Sequence, residues 1–170
     1  HCGLRVGEAV RLRPRDIDRE RGVLRVIDGK GGRNREVPIA HGMIERLGHY
    51  WLFHRNQAWL FPGVGRAWRE RCKTLRAAMA CADKPMSVSS VQAALRIVVA
   101  SAQIKKAATC HSLRHSFATH LLESGVSIRQ VSEYLGHASV ASTLIYLHVT
   151  EISEGKGREA QAALIEQALR

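Results

Sequence analysis

Three side chains near the start of one helix set the chemical question. His111, Arg114 and His115 are spaced i, i+3 and i+4, so a helix brings them onto one face. Leu113, Phe117 and Leu121 then supply a core-facing stripe on the other side. The dipole puts partial positive charge at a helix N-terminus, and each cation placed there costs about 0.3–1 kcal/mol unless something compensates. A bound anion is the natural compensator. A solvated basic helix end carrying one core histidine accounts for the same letters, and this segment alone leaves the two readings level.

Further groups of similar chemistry are scattered along the chain. Arg5 and Glu8, in Gly3-Leu4-Arg5-Val6-Gly7-Glu8, fall on neighbouring helical turns. At its plainest this is a surface ion pair worth at most about 1 kcal/mol. Lys30 occupies a glycine-rich turn, Gly29-Lys30-Gly31, where a lysine is either solvated or aimed. His137 follows Leu135-Gly136 at a helix end, and Tyr146 stands between Ile145 and Leu147. Such a histidine can simply cap the helix, and such a tyrosine ordinarily packs and gives its hydroxyl to a partner.

The elements that must position these groups are mostly helical. Leu4, Val10 and Leu12, closed by Pro14, predict the end of a helix over 4–12. The segments 22–27 and 36–39 read as strands joined by turn residues 28–34, a β-hairpin with Lys30 near its tip and Pro38 marking an edge. Ile44, Leu47 and Trp51 predict an amphipathic helix over 41–53. Residues 59–62 read as a short extended piece. One very basic helix is expected over 66–82, carrying Arg66, Arg69, Arg71, Lys73 and Arg76, either for phosphate contacts or as a solvated surface. Further helices are expected from Ser89 or Ser90 to Ser101, over 111–123, 127–135 and 140–148, and over 158–169. The fold class is α+β, mainly helical with one small antiparallel hairpin, in a single domain over 1–170.

Bulk properties narrow the partners. A formal net charge of +11 on 170 residues points to a polyanion, nucleic acid first and an anionic membrane surface second. The one terminal amphipathic segment is short and not rich in bases, which disfavours the membrane. There is no long uninterrupted apolar run, and the first residues lack the basic-then-apolar layout of a secretory signal. Cys2, Cys72, Cys81 and Cys110 lack metal-ligand spacing, so reduced thiols in a cytoplasmic protein are expected. The first residues read as the inside of a helix, as in a piece of a longer protein.

Taken in order, the Arg5–Glu8 segment, Gly29-Lys30-Gly31, the run from His111 through Arg114 to Gly125, Tyr134-Leu135-Gly136-His137 and Ile145-Tyr146-Leu147-His148-Val149 closely resemble the catalytic domain of tyrosine recombinases, the family of phage integrases and Xer-type enzymes. The resemblance covers nearly all of residues 2–149. It implies that Arg5 and Arg114 clamp the scissile phosphate and that Lys30 is the general acid toward the leaving 5′ oxygen. It implies that His111 assists proton transfer, that His137 hydrogen-bonds a phosphate oxygen and that Tyr146 is the nucleophile. It further implies site-specific cleavage and rejoining of double-stranded DNA through a 3′-phosphotyrosine, without cofactor or metal, by a cytoplasmic, nucleoid-associated enzyme. The resemblance also implies a preceding core-binding domain, which is expected to lie outside residues 1–170. The apolar side of the tail, Ala160, Leu164, Ile165, Ala168 and Leu169, fits docking on a neighbour in a tetrameric synapse or packing on its own domain. A type IB topoisomerase, or a DNA-binding module of the same fold without catalysis, are the competing readings.

Overall fold

The computed structural model describes residues 2–27, 34–137, 139 and 141–144. It divides into two compact units, His1–Arg114 and His115–Arg170. The expected turn around Lys30, most of the helix over 140–148 and the tail helix over 158–169 lie outside the described residues.

The first unit opens with α1 (Val6–Val10) and a 3-10 turn at Pro14–Asp16, where Pro14 fits the first helical position. A three-stranded antiparallel sheet follows: β1 (Ile17–Asp18), β2 (Val23–Val26) and β3 (Arg35–Pro38), in that spatial order. The expected hairpin is β2–β3, and Pro38 does lie on an edge strand. The two-residue strand β1 was not anticipated. Register pairs Leu24 with Val37 and Val26 with Arg35, and opposed residues share a face. Leu24, Val26 and Val37 are buried there, while Arg25 and Glu36 share the outer face. Arg21 and Arg25 reach Glu36 and Asp18 in exposed ion pairs on that side, at 2.7 and 2.8 Å.

Helix α2 (His41–His54) lays Ile44, Leu47 and Trp51 on a core with Leu12, Leu24, Ile39 and Leu60. The basic segment is not one helix. It forms α3 (Trp68–Arg71) and α4 (Leu75–Ala80), because Thr74 turns extended and its hydroxyl accepts the Ala77 N–H at 3.2 Å, capping a new helix. Arg69 lies over the Trp68 ring at 4.8 Å, and Ala78 and Met79 are buried. Ser87 likewise caps α5 (Val88–Ser101) through the Ser90 N–H.

In the second unit, the later part of α6 (Cys110–Glu123) buries Ala118 against Val131 and Leu135 of α7 (Ile128–Leu135), with Phe117 and Leu121 beside them. Ser127 caps α7 at its start, and Gly136, with φ of 64°, closes it in the left-handed region. Helix α8 (Ala141–Leu144) follows. Leu113, expected in the core-facing stripe of α6, is 56% exposed, whereas Arg114 is only 3% exposed. No described helix is long and apolar enough to cross a membrane.

A single buried amide fastens the end of the basic segment 66–82. Asn56 Nδ2 donates to the carbonyls of Met79, Ala80 and Ala82 at 2.8, 3.2 and 2.9 Å, and its Oδ1 accepts from the N–H groups of Ala58 and Trp59. The neighbouring His54 accepts the Asn56 N–H at Nδ1, and burial holds its imidazole pKa below the usual range. Replacing Asn56 by leucine leaves the end of α4 and the 58–59 turn without these partners, at a cost of about 3 kcal/mol in urea unfolding. Asn56→Asp is expected to be worse at neutral pH, since a carboxylate then faces three carbonyl oxygens. Equal stability of parent and aspartate variant would refute this account of the basic segment.

Candidate active site

The start of α6 is built by reciprocal capping. Thr109 Oγ1 accepts the Ser112 N–H at 3.1 Å, and Ser112 Oγ accepts the Thr109 N–H at 3.2 Å. This fixes the first turn, and with it the positions of His111 and Arg114 one turn apart. Both line a cavity of about 550 Å³ in the first unit. Arg5, at the N-terminus of α1, and Gln92 and Arg96, from α5, line it too. Residues more than a hundred positions apart thus supply guanidinium and imidazole groups to one space. Among the described residues lining it, none is acidic.

Two neighbours hold the arginines. Arg114 Nη1 donates to the Gly3 carbonyl at 2.6 Å. A buried guanidinium needs acceptors of this kind, and Gly3 presents its carbonyl from a backbone with φ of 58°, a conformation natural to glycine. Arg5 is held by Glu8, whose Oε2 accepts the Arg5 backbone N–H at 2.8 Å and whose Oε1 accepts Arg5 Nη1 at 3.0 Å. The pair is no surface contact, which corrects the plain reading of these two residues. The Glu8 side chain is 3% exposed and also takes Arg35 through both oxygens, at 3.1 and 2.7 Å. Burial pushes the Glu8 pKa up, but the hydrogen bonds and charge of Arg35, together with the backbone and side-chain hydrogen bonds of Arg5, outweigh it and hold the carboxyl near a pKa of about 2.

The expected site residues therefore divide into three groups. Arg5, His111 and Arg114 line one cavity. His137 belongs to the second unit, just after Gly136, with its Nδ1 at 2.8 Å from the hydroxyl of the buried Thr143. That contact fixes the ring plane. Lys30 and Tyr146 lie outside the described residues. Sequence reasoning missed Gln92 and Arg96, having read α5 only for its apolar positions. The signal was their i, i+4 spacing as the only polar pair within an otherwise aliphatic run, 91–100.

A mainly helical chain with a small three-stranded antiparallel sheet has the fold of tyrosine-recombinase catalytic domains. The match extends through the sequence: residues 1–152 fit the model of the phage integrase family, and the chain belongs to that family. It is 38% identical over 149 residues to the tyrosine recombinase XerA of Pyrococcus furiosus, covering 87% of this chain and 46% of that protein. The crystal structure of XerA recombinase superposes with a TM-score of 0.73 at 30% identity, covering 94% of this chain and 54% of the other. XerH, in a pre-cleavage complex with its difH substrate, shares the fold at a TM-score of 0.66 and 24% identity, covering 85% and 39%. The chain spans about half the length of the relatives it matches.

The low pKa of Glu8 fixes a pH dependence. Unfolded, the carboxyl takes up its proton near 4.5; folded, only near 2. Its stabilisation is therefore complete above about pH 4.5 and is lost as pH falls toward 2. Urea unfolding of the parent and of Glu8→Gln between these limits should show the parent losing up to roughly 3 kcal/mol more than the variant. Parallel pH profiles would contradict the placement of Glu8 between two guanidinium groups.

Proposed function

We propose that this chain is the catalytic part of a tyrosine recombinase, cleaving and rejoining duplex DNA at specific sites. The observation that carries the reading is the meeting of Arg5, His111 and Arg114 on one cavity, with no carboxylate among its described lining residues, in a member of the phage integrase family. That a like fold in XerH holds a DNA substrate supports the choice of partner. The net charge of +11 supports it as well.

In this reading a backbone phosphate sits against Arg5 and Arg114. Attack adds negative charge to its equatorial oxygens, and preorganised guanidinium groups stabilise that state more than the ground state. Tyr146 Oη attacks phosphorus and the bond to the 5′ oxygen breaks. A phenol ionises near pH 10, so it relies on the cationic setting and on His111 for deprotonation. Lys30 gives the leaving 5′ oxygen its proton, and His137 donates to a phosphate oxygen. A 5′-hydroxyl from a partner strand then attacks the 3′-phosphotyrosine in reverse. One ester replaces another throughout, so no external energy source is needed.

A nicked duplex that loses its 5′-hydroxyl fragment traps the intermediate. The parent should give a DNA–protein adduct that survives denaturant, and Tyr146→Phe should give none. Tight binding with no adduct from the parent, in the longest form its gene encodes, would leave a binding module. Relaxation of supercoils with no strand exchange would make it a topoisomerase.

Strand exchange needs two cleaved duplexes, hence several copies on DNA, and we assign to residues 158–170 the contact between neighbours in a four-copy, cytoplasmic assembly. Removing residues 150–170 should reduce assembly on a two-site DNA while leaving adduct formation on one site intact. Unchanged assembly would remove that part of the proposal.

A further inference from the structure

The register of the sheet puts a charged residue where an aliphatic one is expected. Arg35 opposes Val26, so it shares the inner face with Leu24, Val26 and Val37. Its side chain is 9% exposed and ends on Glu8. Such buried ion pairs add little net stability, and hydrophobic replacements are often neutral or better. A guanidinium kept in a core position therefore calls for another use.

The geometry supplies one. Arg35 engages both Glu8 oxygens, at 3.1 and 2.7 Å, in the two-point grip that arginine makes with carboxylates. Arg5 meets the same carboxylate with its backbone N–H on Oε2 and with Nη1 on Oε1. Two guanidinium groups thus share one negative charge. We propose that Arg35 is a positioning residue for the cavity: by holding both oxygens of Glu8 it prevents that carboxylate from closing in a two-point grip on Arg5, and so keeps Arg5 directed at a phosphate. The inference rests on the cavity being the phosphodiester site. Remove Arg35, and Glu8 remains buried with a single guanidinium beside it. The fork then turns onto the carboxylate, and its charge toward the cavity is cancelled. Arg35 is also the first residue of β3. The same grip ties the start of that strand to α1.

The test compares Arg35→Met, Arg35→Lys and the double variant Glu8→Gln, Arg35→Met with the parent. Three quantities are read: cleavage rate on the nicked duplex at saturating DNA, affinity for inorganic phosphate followed at the guanidinium resonances, and urea stability. Arg35→Met should slow cleavage by about ten-fold or more while changing the DNA dissociation constant less than about two-fold, the split expected for loss of transition-state binding. Phosphate affinity should fall with it. Lysine, a point charge without the fork, should restore the rate only in part. The double variant, with no carboxylate left to draw Arg5 away, should regain most of the lost rate and phosphate affinity, whatever its stability. A purely structural residue predicts instead that rate and affinity follow the folded fraction. Full cleavage by folded Arg35→Met, or a double variant slower than the single one, overturns the proposal. If the parent forms no adduct at all, the recombinase reading fails by itself, and the phosphate titration still decides for or against Arg35.

Discussion

Gathering guanidinium groups around one partly enclosed space is electrostatically uphill, and much of the first unit answers that constraint. The repulsion is met from behind the cavity rather than within it. Arg114 is held by a neutral carbonyl, and Arg5 by a carboxylate that it shares with Arg35. Each acceptor makes its own demand on the chain. The Gly3 carbonyl requires a left-handed backbone, and the Glu8 carboxylate requires the third position of α1 together with the inner face of β3. The small sheet is thus more than a cover for the core. It delivers the second cation that a buried carboxylate needs.

The same arrangement accounts for the lack of acids among the described residues that line the cavity. A carboxylate facing the space would pair with the arginines and compete with any incoming phosphate. Glu8 instead holds Arg5 without itself lining the cavity. The chain holds 26 lysines and arginines against 15 acids, so where each acid stands matters more than how many there are.

Local chemistry was the legible part of the sequence. Ser127 and Gly136 bound α7 as their types suggest, and β2 and β3 pair as the turn residues between them required. What escaped was whatever depends on partners distant in sequence. Strand β1 is two residues long and exists only because β2 lies beside it. Thr74 looked like one more residue of a basic helix until its hydroxyl was seen capping α4. The face of α6 was misjudged at Leu113 and Arg114 because a buried guanidinium reads as polar, while the carbonyl that satisfies it lies 111 residues away. Arg5, His111 and Arg114 were named by resemblance, and the structure lines one cavity with all three. The link from Arg5 through Glu8 to Arg35 was not named, since a strand register cannot be counted from one strand alone.

The choice between arginine and lysine follows from this architecture. A guanidinium has five N–H donors in one rigid plane, so a partner behind it can fix that plane while other donors address a ligand in front. An ammonium is a point charge on a flexible stem, and a partner behind it would pull it away. Positions that must be both anchored and presented, such as Arg5 and Arg114, therefore suit arginine. Delivery of a proton reverses the preference, because arginine keeps its protons at any pH of interest and lysine does not. A lysine in a glycine-rich segment meets that need in the proposed reaction, whereas arginine there would give the leaving oxygen no proton.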